Sequence, residues 1–162
     1  MKLSLTVNGA PVEIEARPDD MLLGILRREL GLTSVRETCG VGVCGACTVL
    51  LDGETVSACL VLAPLVEGRA VTTAESLPEI DPVPRAFAEA RAYQCGYCTP
   101  GFLLATKRLL EENPSPTVEE IKLALAGNLC RCGSYLKIID AVKRAREERA
   151  WTSSAGSGST GA

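Results

Sequence analysis

The chain has 162 residues, which is enough for one domain or two small domains. Its formal net charge is −3 and its basic residues do not gather in one block, so the composition argues against nucleic-acid binding. No apolar run is long enough to span a membrane, and the alternating residues 1–7 lack the apolar core of a signal peptide.

The N-terminal segment alternates between apolar and polar residues. Apolar residues alternate on both sides of the turn signal Asn8-Gly9, which predicts a β-hairpin. The acidic segment Pro18–Asp20 predicts the start of a helix, because carboxylates favour the positive end of the helix dipole. An apolar helical face follows, and Gly31 is predicted to end the helix.

A second hairpin is predicted around Asp52-Gly53, and residues 69–73 are predicted to form one more short strand. Between the two hairpins lies a glycine-rich loop. Strands, one helix and this loop together predict a small β-grasp-like domain over residues 1–76.

Composition changes after residue 76. Three prolines within residues 77–84 predict an extended linker. Every later pattern is helical: Thr99 is a predicted N-cap, Asn113 a predicted stop, and Thr117 the start of a capping box.

Four helices with short connections predict an antiparallel four-helix bundle over residues 85–150. The Ser/Gly/Ala-rich residues 151–162 are predicted to be disordered, because they offer nothing to bury. The fold class expected for the whole chain is therefore α+β.

The loop Thr38–Thr48 carries three cysteines spaced as C-x4-C-x2-C, and a fourth cysteine follows at a distance. This spacing is the ligand pattern of a plant-type 2Fe–2S cluster. Glycines within the loop let the backbone wrap closely around a compact inorganic core. A structural zinc loop is the alternative, but zinc sites usually show two short knuckles. The predicted ligands are Cys39, Cys44, Cys47 and Cys59.

A second set of four cysteines falls in two turns just before helices: Cys95, Cys98, Cys130 and Cys132. The helix dipole and free N–H groups favour thiolates there. Four soft anionic ligands suit iron–sulfur or zinc, and this set alone leaves both open. A thioredoxin-like redox function has less support than metal ligation, because no βαβ pattern surrounds the C-x2-C pair.

The total count of eight cysteines favours two metal centres, since they divide into four and four. Without a secretory signal the expected compartment is the cytoplasm, where thiols stay reduced and disulfides are rare. Histidine is absent, which excludes Rieske ligation, mixed Cys/His zinc sites and histidine acid–base chemistry on this chain.

Both cysteine sets and the sequence motifs that flank them resemble the iron–sulfur subunit of the xanthine oxidase (molybdenum hydroxylase) family. This family includes carbon monoxide, aldehyde and N-heterocycle dehydrogenases. The motifs are C-G-A-C-T-V at 44–49, Q-C-G-Y-C-T-P-G at 94–101 and G-N-L-C-R-C at 127–132. The resemblance covers roughly residues 1–150. One departure is Gly133-Ser134, where the family commonly has Thr-Gly.

The resemblance implies a ferredoxin-like β-grasp and a four-helix bundle, each with one 2Fe–2S cluster. It implies a large molybdopterin-binding partner and a medium FAD-binding partner, assembled as a dimer of heterotrimers. Electrons would pass from the molybdopterin through both clusters to FAD or an external acceptor. No catalytic residue is expected on this chain.

The resemblance also assigns two residues near the pterin. Gln94 matches a position that contacts the pterin, and Cys132 matches the position nearest to it. A glutamine amide has both donors and an acceptor, so it can pair with a pterin edge. Alternatively, Gln94 only caps a turn or faces solvent.

Two other functions stay open on the residues alone: a free-standing two-cluster ferredoxin without a molybdenum partner, and a structural zinc scaffold. The apolar residues 59–66 favour a partner surface over a free carrier. Val41 and Val43 are expected to face either solvent or a flavin partner. The substrate of such a complex is not encoded in this chain.

Overall fold

The computed structural model describes residues 1–78 and 80–155, with side chains described to residue 149. Its N-terminal half is a five-stranded mixed sheet. The strands are β1 (Lys2–Val7), β2 (Ala10–Glu15), β3 (Thr48–Leu51), β4 (Glu54–Ser57) and β5 (Ala70–Thr72). They lie in the order β2-β1-β5-β3-β4, in which β1 and β5 pair in parallel and the other neighbours are antiparallel.

Both predicted hairpins are confirmed. Asn8 and Gly9 have φ of 52° and 82°, and Asp52 and Gly53 have φ of 50° and 87°. Positive φ at both central residues is the mark of a type I′ turn, whose twist matches that of the paired strands. The Asn-Gly and Asp-Gly pairs therefore set the register of the sheet.

One helix covers the sheet. Helix α1 (Leu22–Gly24) continues as a π-helical segment, Ile25–Glu29, and Leu22 and Leu26 are fully buried against the strands. The predicted start at Pro18–Asp20 is wrong. The Asp20 carboxylate accepts the Arg17 N–H at 2.8 Å, so it closes a turn before the helix and does not cap it.

The C-terminal half is a four-helix bundle, and the expected α+β class is confirmed. Its core is built on Phe87, Phe102, Ile121 and Ile138, all at most 1% exposed. The capping box of the third bundle helix is confirmed, because Thr117 and Glu120 hydrogen-bond each other's backbone N–H groups. The helices are α2 (Pro82–Glu89), α3 (Thr99–Glu112), α4 (Val118–Ala124) and α5 (Tyr135–Ala155).

Two predicted boundaries at the starts of bundle helices are wrong. Helix α2 begins at Pro82, inside the expected linker 77–84, because Asp81 caps it by accepting the Val83 N–H at 2.9 Å. Prolines fit this first turn, since it needs no N–H from them. The N-cap of α3 is Cys98, and Thr99 is already helical.

The C-terminal boundary also differs. Helix α5 runs to Ala155, so it includes residues 151–155 of the segment predicted to be disordered. The remaining residues, 156–162, lie outside the described residues. Among the described residues, no helix combines the length and the apolar character needed to cross a membrane.

The sheet and the bundle pack directly on each other through helix α3. Arg108 of α3 forms a bidentate pair with Glu54 of β4, at 3.1 and 2.7 Å. At the start of α3, a Cβ added to Gly101 would lie 2.3 Å from the Gly45 carbonyl oxygen. The two backbones touch at this point, and only glycine fits there.

We expect the substitution Gly101→Ala to force the two halves apart. The clash is with backbone, which cannot rotate away, so overpacking should lower the free energy of unfolding by about 1–3 kcal/mol. Thermal unfolding of the full-length chain, followed by circular dichroism, measures the loss.

The matched control is Gly127→Ala, where an added Cβ meets no atom within 4 Å. It should leave the unfolding midpoint close to that of the wild type. Equal midpoints for all three proteins would contradict the close contact at Gly101.

Candidate metal centres

The first four cysteines meet where the second hairpin returns. Cys47 directly precedes β3 and Cys59 follows β4, and the antiparallel pairing of Thr48 with Ser57 places these two ends side by side. The Ala58 N–H donates to the Cys47 carbonyl at 3.2 Å. The structure thus brings Cys59 to the loop despite its distance in sequence.

The loop itself curls around the Cys39 sulfur. Gly40, Gly42 and Gly45 have φ of 67°, 74° and 67°, which side-chain-bearing residues rarely adopt. The backbone N–H groups of Val41, then Cys44 and Val43, together with the Cys44 thiol, lower the pKa of Cys39 to about 6. The loop therefore favours the thiolate form of Cys39.

On the inner side of this loop, the pKa of Cys47 shifts in the opposite direction. Burial, together with the neighbouring Cys59 thiol, raises the pKa of Cys47 to about 11. Metal binding at Cys47 must displace its proton, so ligation there is coupled to proton release. Cys39 contacts Cys44, and Cys47 contacts Cys59, which arranges the four thiols as two pairs.

The second four cysteines are also arranged as two pairs. Cys95 and Cys132 form an outer pair, with their sulfurs 3.5 Å apart. Cys98 and Cys130 form an inner pair in side-chain contact. Cys95 is exposed whereas Cys130 is buried, so this site has one face open to its surroundings.

In the second set, as in the first, backbone donors lower the pKa of one cysteine and burial raises the pKa of another. The Tyr97 N–H, followed by the Cys132 thiol, lowers the pKa of Cys95. Burial, followed by the Cys130 thiol, raises the pKa of Cys98 to about 12. Each set thus combines a thiolate-stabilising loop with a buried or half-buried thiol that must lose its proton on ligation.

This arrangement fits a 2Fe–2S cluster in each set. Such a cluster takes two thiolates on each of its two irons, and each set offers two contacting pairs. Among the described residues, no group of three thiols or carboxylates surrounds a single metal-ion position. A 2Fe–2S cluster does not need one, since its irons are separate.

The two sets face a common space. A cavity of about 440 Å³ between the halves is lined by Cys44 and Ala46 from the first loop and by Cys95, Cys98 and Cys130 from the bundle. The Leu129 N–H donates to the Cys44 carbonyl at 2.9 Å. Cys44 of the first set is thus hydrogen-bonded to Leu129, which directly precedes Cys130 of the second set.

Asn128 stabilises the junction, by which we mean the contact between the first cysteine loop and the bundle. Its side chain is buried, and its Nδ2 lies 2.9 Å from the Gly45 carbonyl and 3.3 Å from Thr48 Oγ1. The Tyr97 hydroxyl adds a second bond across the junction, donating to the Glu37 carbonyl at 2.9 Å. The sequence analysis did not predict a role for Asn128 or Tyr97. Both lie in the motifs that flank the cysteines, but the neighbouring residues do not indicate what the two side chains contact.

Exposed residues mark the outer edges of the two sets. Val41 and Val43 are 65% and 63% exposed on the first loop, so in this chain they face outward. Next to them, Gly42 packs closely against Leu60, which is also exposed. At the second set, Gln94 is exposed and its Nε2 donates to the Cys132 carbonyl at 3.1 Å.

Comparison with known families agrees with this geometry. Residues 5–76 match a family described as a 2Fe-2S iron-sulfur cluster binding domain, and residues 66–143 match a [2Fe-2S] binding domain. The chain is 47% identical to the nicotinate dehydrogenase small FeS subunit of Eubacterium barkeri, over 90% of this chain and 94% of that protein. It belongs to the iron–sulfur small subunits of the molybdenum hydroxylase family.

Other relatives of this iron–sulfur subunit support the assignment. It is 44% identical to the xanthine dehydrogenase iron-sulfur-binding subunit of Escherichia coli O157:H7, over 86% of this chain and 91% of that one. Its structure matches quinoline 2-oxidoreductase from Pseudomonas putida 86 with a TM-score of 0.89 and 39% identity, over 94% of this chain and 96% of that one.

A longer protein contains the same fold. The aldehyde oxidoreductase of Desulfovibrio desulfuricans ATCC 27774 matches with a TM-score of 0.90 and 40% identity, over 93% of this chain. The subunit spans only 17% of that chain.

Single cysteine variants should remove the two clusters separately. The purified wild-type subunit is expected to hold about four irons and four labile sulfides, two of each per cluster. Cys44→Ser and Cys130→Ser should each lower both contents to about two, because each removes one ligand of one set. EPR spectra of the reduced proteins should show two signals in the wild type and one in each variant.

The two variants serve as controls for each other, since they must lose different signals. Loss of both signals equally in either variant would contradict the division into two centres. Stoichiometric zinc in the wild type would contradict the iron–sulfur assignment.

Proposed function

We propose that this chain is the electron-transfer subunit of a multi-subunit molybdenum hydroxylase and holds two 2Fe–2S clusters. Cys39, Cys44, Cys47 and Cys59 hold the first, and Cys95, Cys98, Cys130 and Cys132 hold the second. A large partner carries the molybdopterin. A medium partner carries FAD, or an external acceptor takes its place.

The observation that carries this proposal is the direct junction between the two cysteine loops. Leu129 donates to the carbonyl of Cys44, and Leu129 is covalently joined to Cys130. This gives a short route of covalent and hydrogen bonds between the two sites. A bound 2Fe–2S cluster supplies one-electron redox chemistry; the chain supplies position, burial and hydrogen bonds.

The residues around each site set how easily negative charge is held there. N–H groups from Val41, Val43 and Cys44 point to the Cys39 sulfur, and such donors favour the more negative, reduced state. Buried Cys47 and half-buried Cys98 do the opposite, because burial disfavours charge. The balance of the two effects tunes each site.

Each site has one exposed edge, which supports a chain placed between two redox partners. Exposed Cys95 and Gln94 offer a polar edge at the second site, which suits a pterin. Exposed Val41 and Val43 offer an apolar edge at the first site, which suits a flavin-bearing partner. Electrons would enter at the second site and leave at the first.

The relatives matched over most of their length are named as small or iron–sulfur subunits, which supports separate partner chains. We expect a dimer of heterotrimers. We place the complex in the cytoplasm, because ligation needs reduced thiols and that compartment keeps them reduced. The relatives are named for nicotinate, xanthine, quinoline and aldehyde, so we propose no single substrate class for the large partner.

The substitution Gln94→Ala tests the direction of this path. We expect both clusters to assemble as in the wild type, because the Gln94 side chain contacts a carbonyl and no sulfur. Pterin content, or the rate of substrate-driven cluster reduction, should fall about 2–10-fold with the loss of a hydrogen bond. The measurement uses the purified complex, with pterin quantified by fluorescence after oxidation and cluster reduction followed by visible absorbance.

The matched control is Asn113→Ala, which removes an amide side chain at the far end of α3. That end lies about 20 Å along the helix from Cys98. The control should keep wild-type pterin content and reduction rate. Full pterin occupancy with an unchanged rate in Gln94→Ala would contradict a pterin contact, and a subunit purified without any partner would favour a free ferredoxin.

A further inference from the structure

Ser134 has a buried hydroxyl that finds no partner. The residue is 5% exposed, and its Oγ makes no hydrogen bond among the described residues. Its backbone N–H donates to the Cys130 sulfur at 3.4 Å. A buried hydroxyl without a partner is rare in folded proteins and calls for a missing acceptor.

The hydroxyl does not perform the usual role of a serine at this place. Ser134 directly precedes α5, and its carbonyl accepts the Ile138 N–H at 3.0 Å in the first helical turn. A serine here normally caps the helix by accepting an N–H with its side chain. Thr117 does so for α4, accepting the Glu120 N–H at 3.3 Å, whereas Ser134 does not.

The surroundings of Ser134 turn it toward the second cysteine set. Gly133 has φ of 76°, and its N–H donates to the Cys130 carbonyl at 3.2 Å, so the chain turns tightly around that cysteine. The Ser134 N–H lies against the Cys130 sulfur, so the unpartnered hydroxyl of the same residue is held beside that sulfur.

We propose that the Ser134 hydroxyl donates a hydrogen bond to the second 2Fe–2S cluster, at the Cys130 sulfur or an adjoining sulfide, and raises its reduction potential. The inference rests on the proposed function, which makes Cys130 a cluster ligand. A donor at sulfur stabilises the reduced cluster more than the oxidised one, because the reduced cluster carries one more negative charge.

A higher potential at the second cluster favours electron entry from the molybdopterin side and slows the onward step. Ser134 is thus a tuning residue and takes no part in ligation.

The test is a redox titration of the full-length chain carrying its clusters, followed by EPR. At any fixed solution potential, Ser134→Ala should lower the reduced-to-oxidised ratio of the second cluster about 3–10-fold, with tenfold equal to 59 mV for one electron. The first cluster should not shift. Ser134→Thr keeps the hydroxyl and should stay near the wild type.

The matched control is Thr106→Val, which removes another buried, unpartnered hydroxyl eight residues beyond Cys98 in α3. It should change neither potential. An unchanged second potential in Ser134→Ala, with or without a loss of thermal stability, would overturn the proposal and leave Ser134 as a helix-start residue only.

Pulsed EPR gives an independent measurement that does not depend on potentials. After exchange into D₂O, the second cluster of the wild type should show a coupled deuteron that Ser134→Ala lacks. Identical deuteron couplings in both proteins would also overturn the proposal. A wild-type chain with only one cluster signal would instead refute the cluster assignment, and this inference with it.

Discussion

The close approach of two backbones decides the arrangement of this molecule. A Cβ on Gly45 would lie 2.3 Å from the Gly127 carbonyl oxygen, and one on Gly101 would lie 2.3 Å from the Gly45 carbonyl oxygen. Because no side chain separates these segments, the Asn128 amide can reach the Gly45 carbonyl. The sheet and the bundle are thereby fixed to each other at the point where both carry cysteines.

This contact also places the two sites in series. The first loop contributes Cys44 and the bundle contributes Cys98 and Cys130 to one shared cavity. Each site also has an exposed residue that does not line that cavity, Val43 at the first and Gln94 at the second. A chain with two linked sites and two separate edges is suited to stand between an electron donor and an electron acceptor.

Eight thiols gathered around such a junction, three of them buried, would be costly without compensation. Four thiolates close together repel one another, and burial disfavours each charge. The glycine-rich loop offsets this cost, because it turns the N–H groups of Val41 and Val43 toward the Cys39 sulfur. The second set relies on the Tyr97 and Ser134 N–H groups. These donors are backbone groups, so they persist in any sequence that keeps the turns.

Local patterns in the sequence predicted the parts of the fold that depend on local chemistry. The Asn8-Gly9 turn and the Thr117 capping box are settled within four residues, and the structure confirms both. The cysteine spacings predicted two ligand sets, and metal ligation by them stays a prediction. The structure places the four cysteines of each set near one another. Boundaries were harder, because prolines at Pro82 and Pro84 suit a linker and a first helical turn equally well.

Contacts between distant segments could not be predicted from the sequence. Asn128 contacts a carbonyl 83 residues away, and no periodicity or motif indicates that partner. The π-helical segment Ile25–Glu29 depends on how α1 fits the sheet, and its apolar pattern suits an ordinary helix as well. The unpartnered Ser134 hydroxyl becomes visible only when its surroundings are known.

The most direct test of this account is the magnetic interaction between the two clusters in the fully reduced subunit. Dipolar coupling falls steeply with distance, so clusters joined at the Cys44–Leu129 hydrogen bond should broaden or split each other's EPR signals. The spectrum of the fully reduced protein should then differ from the sum of the spectra of its two single-cluster variants. A spectrum equal to that sum, with unchanged relaxation of both signals, would contradict the junction on which the account depends.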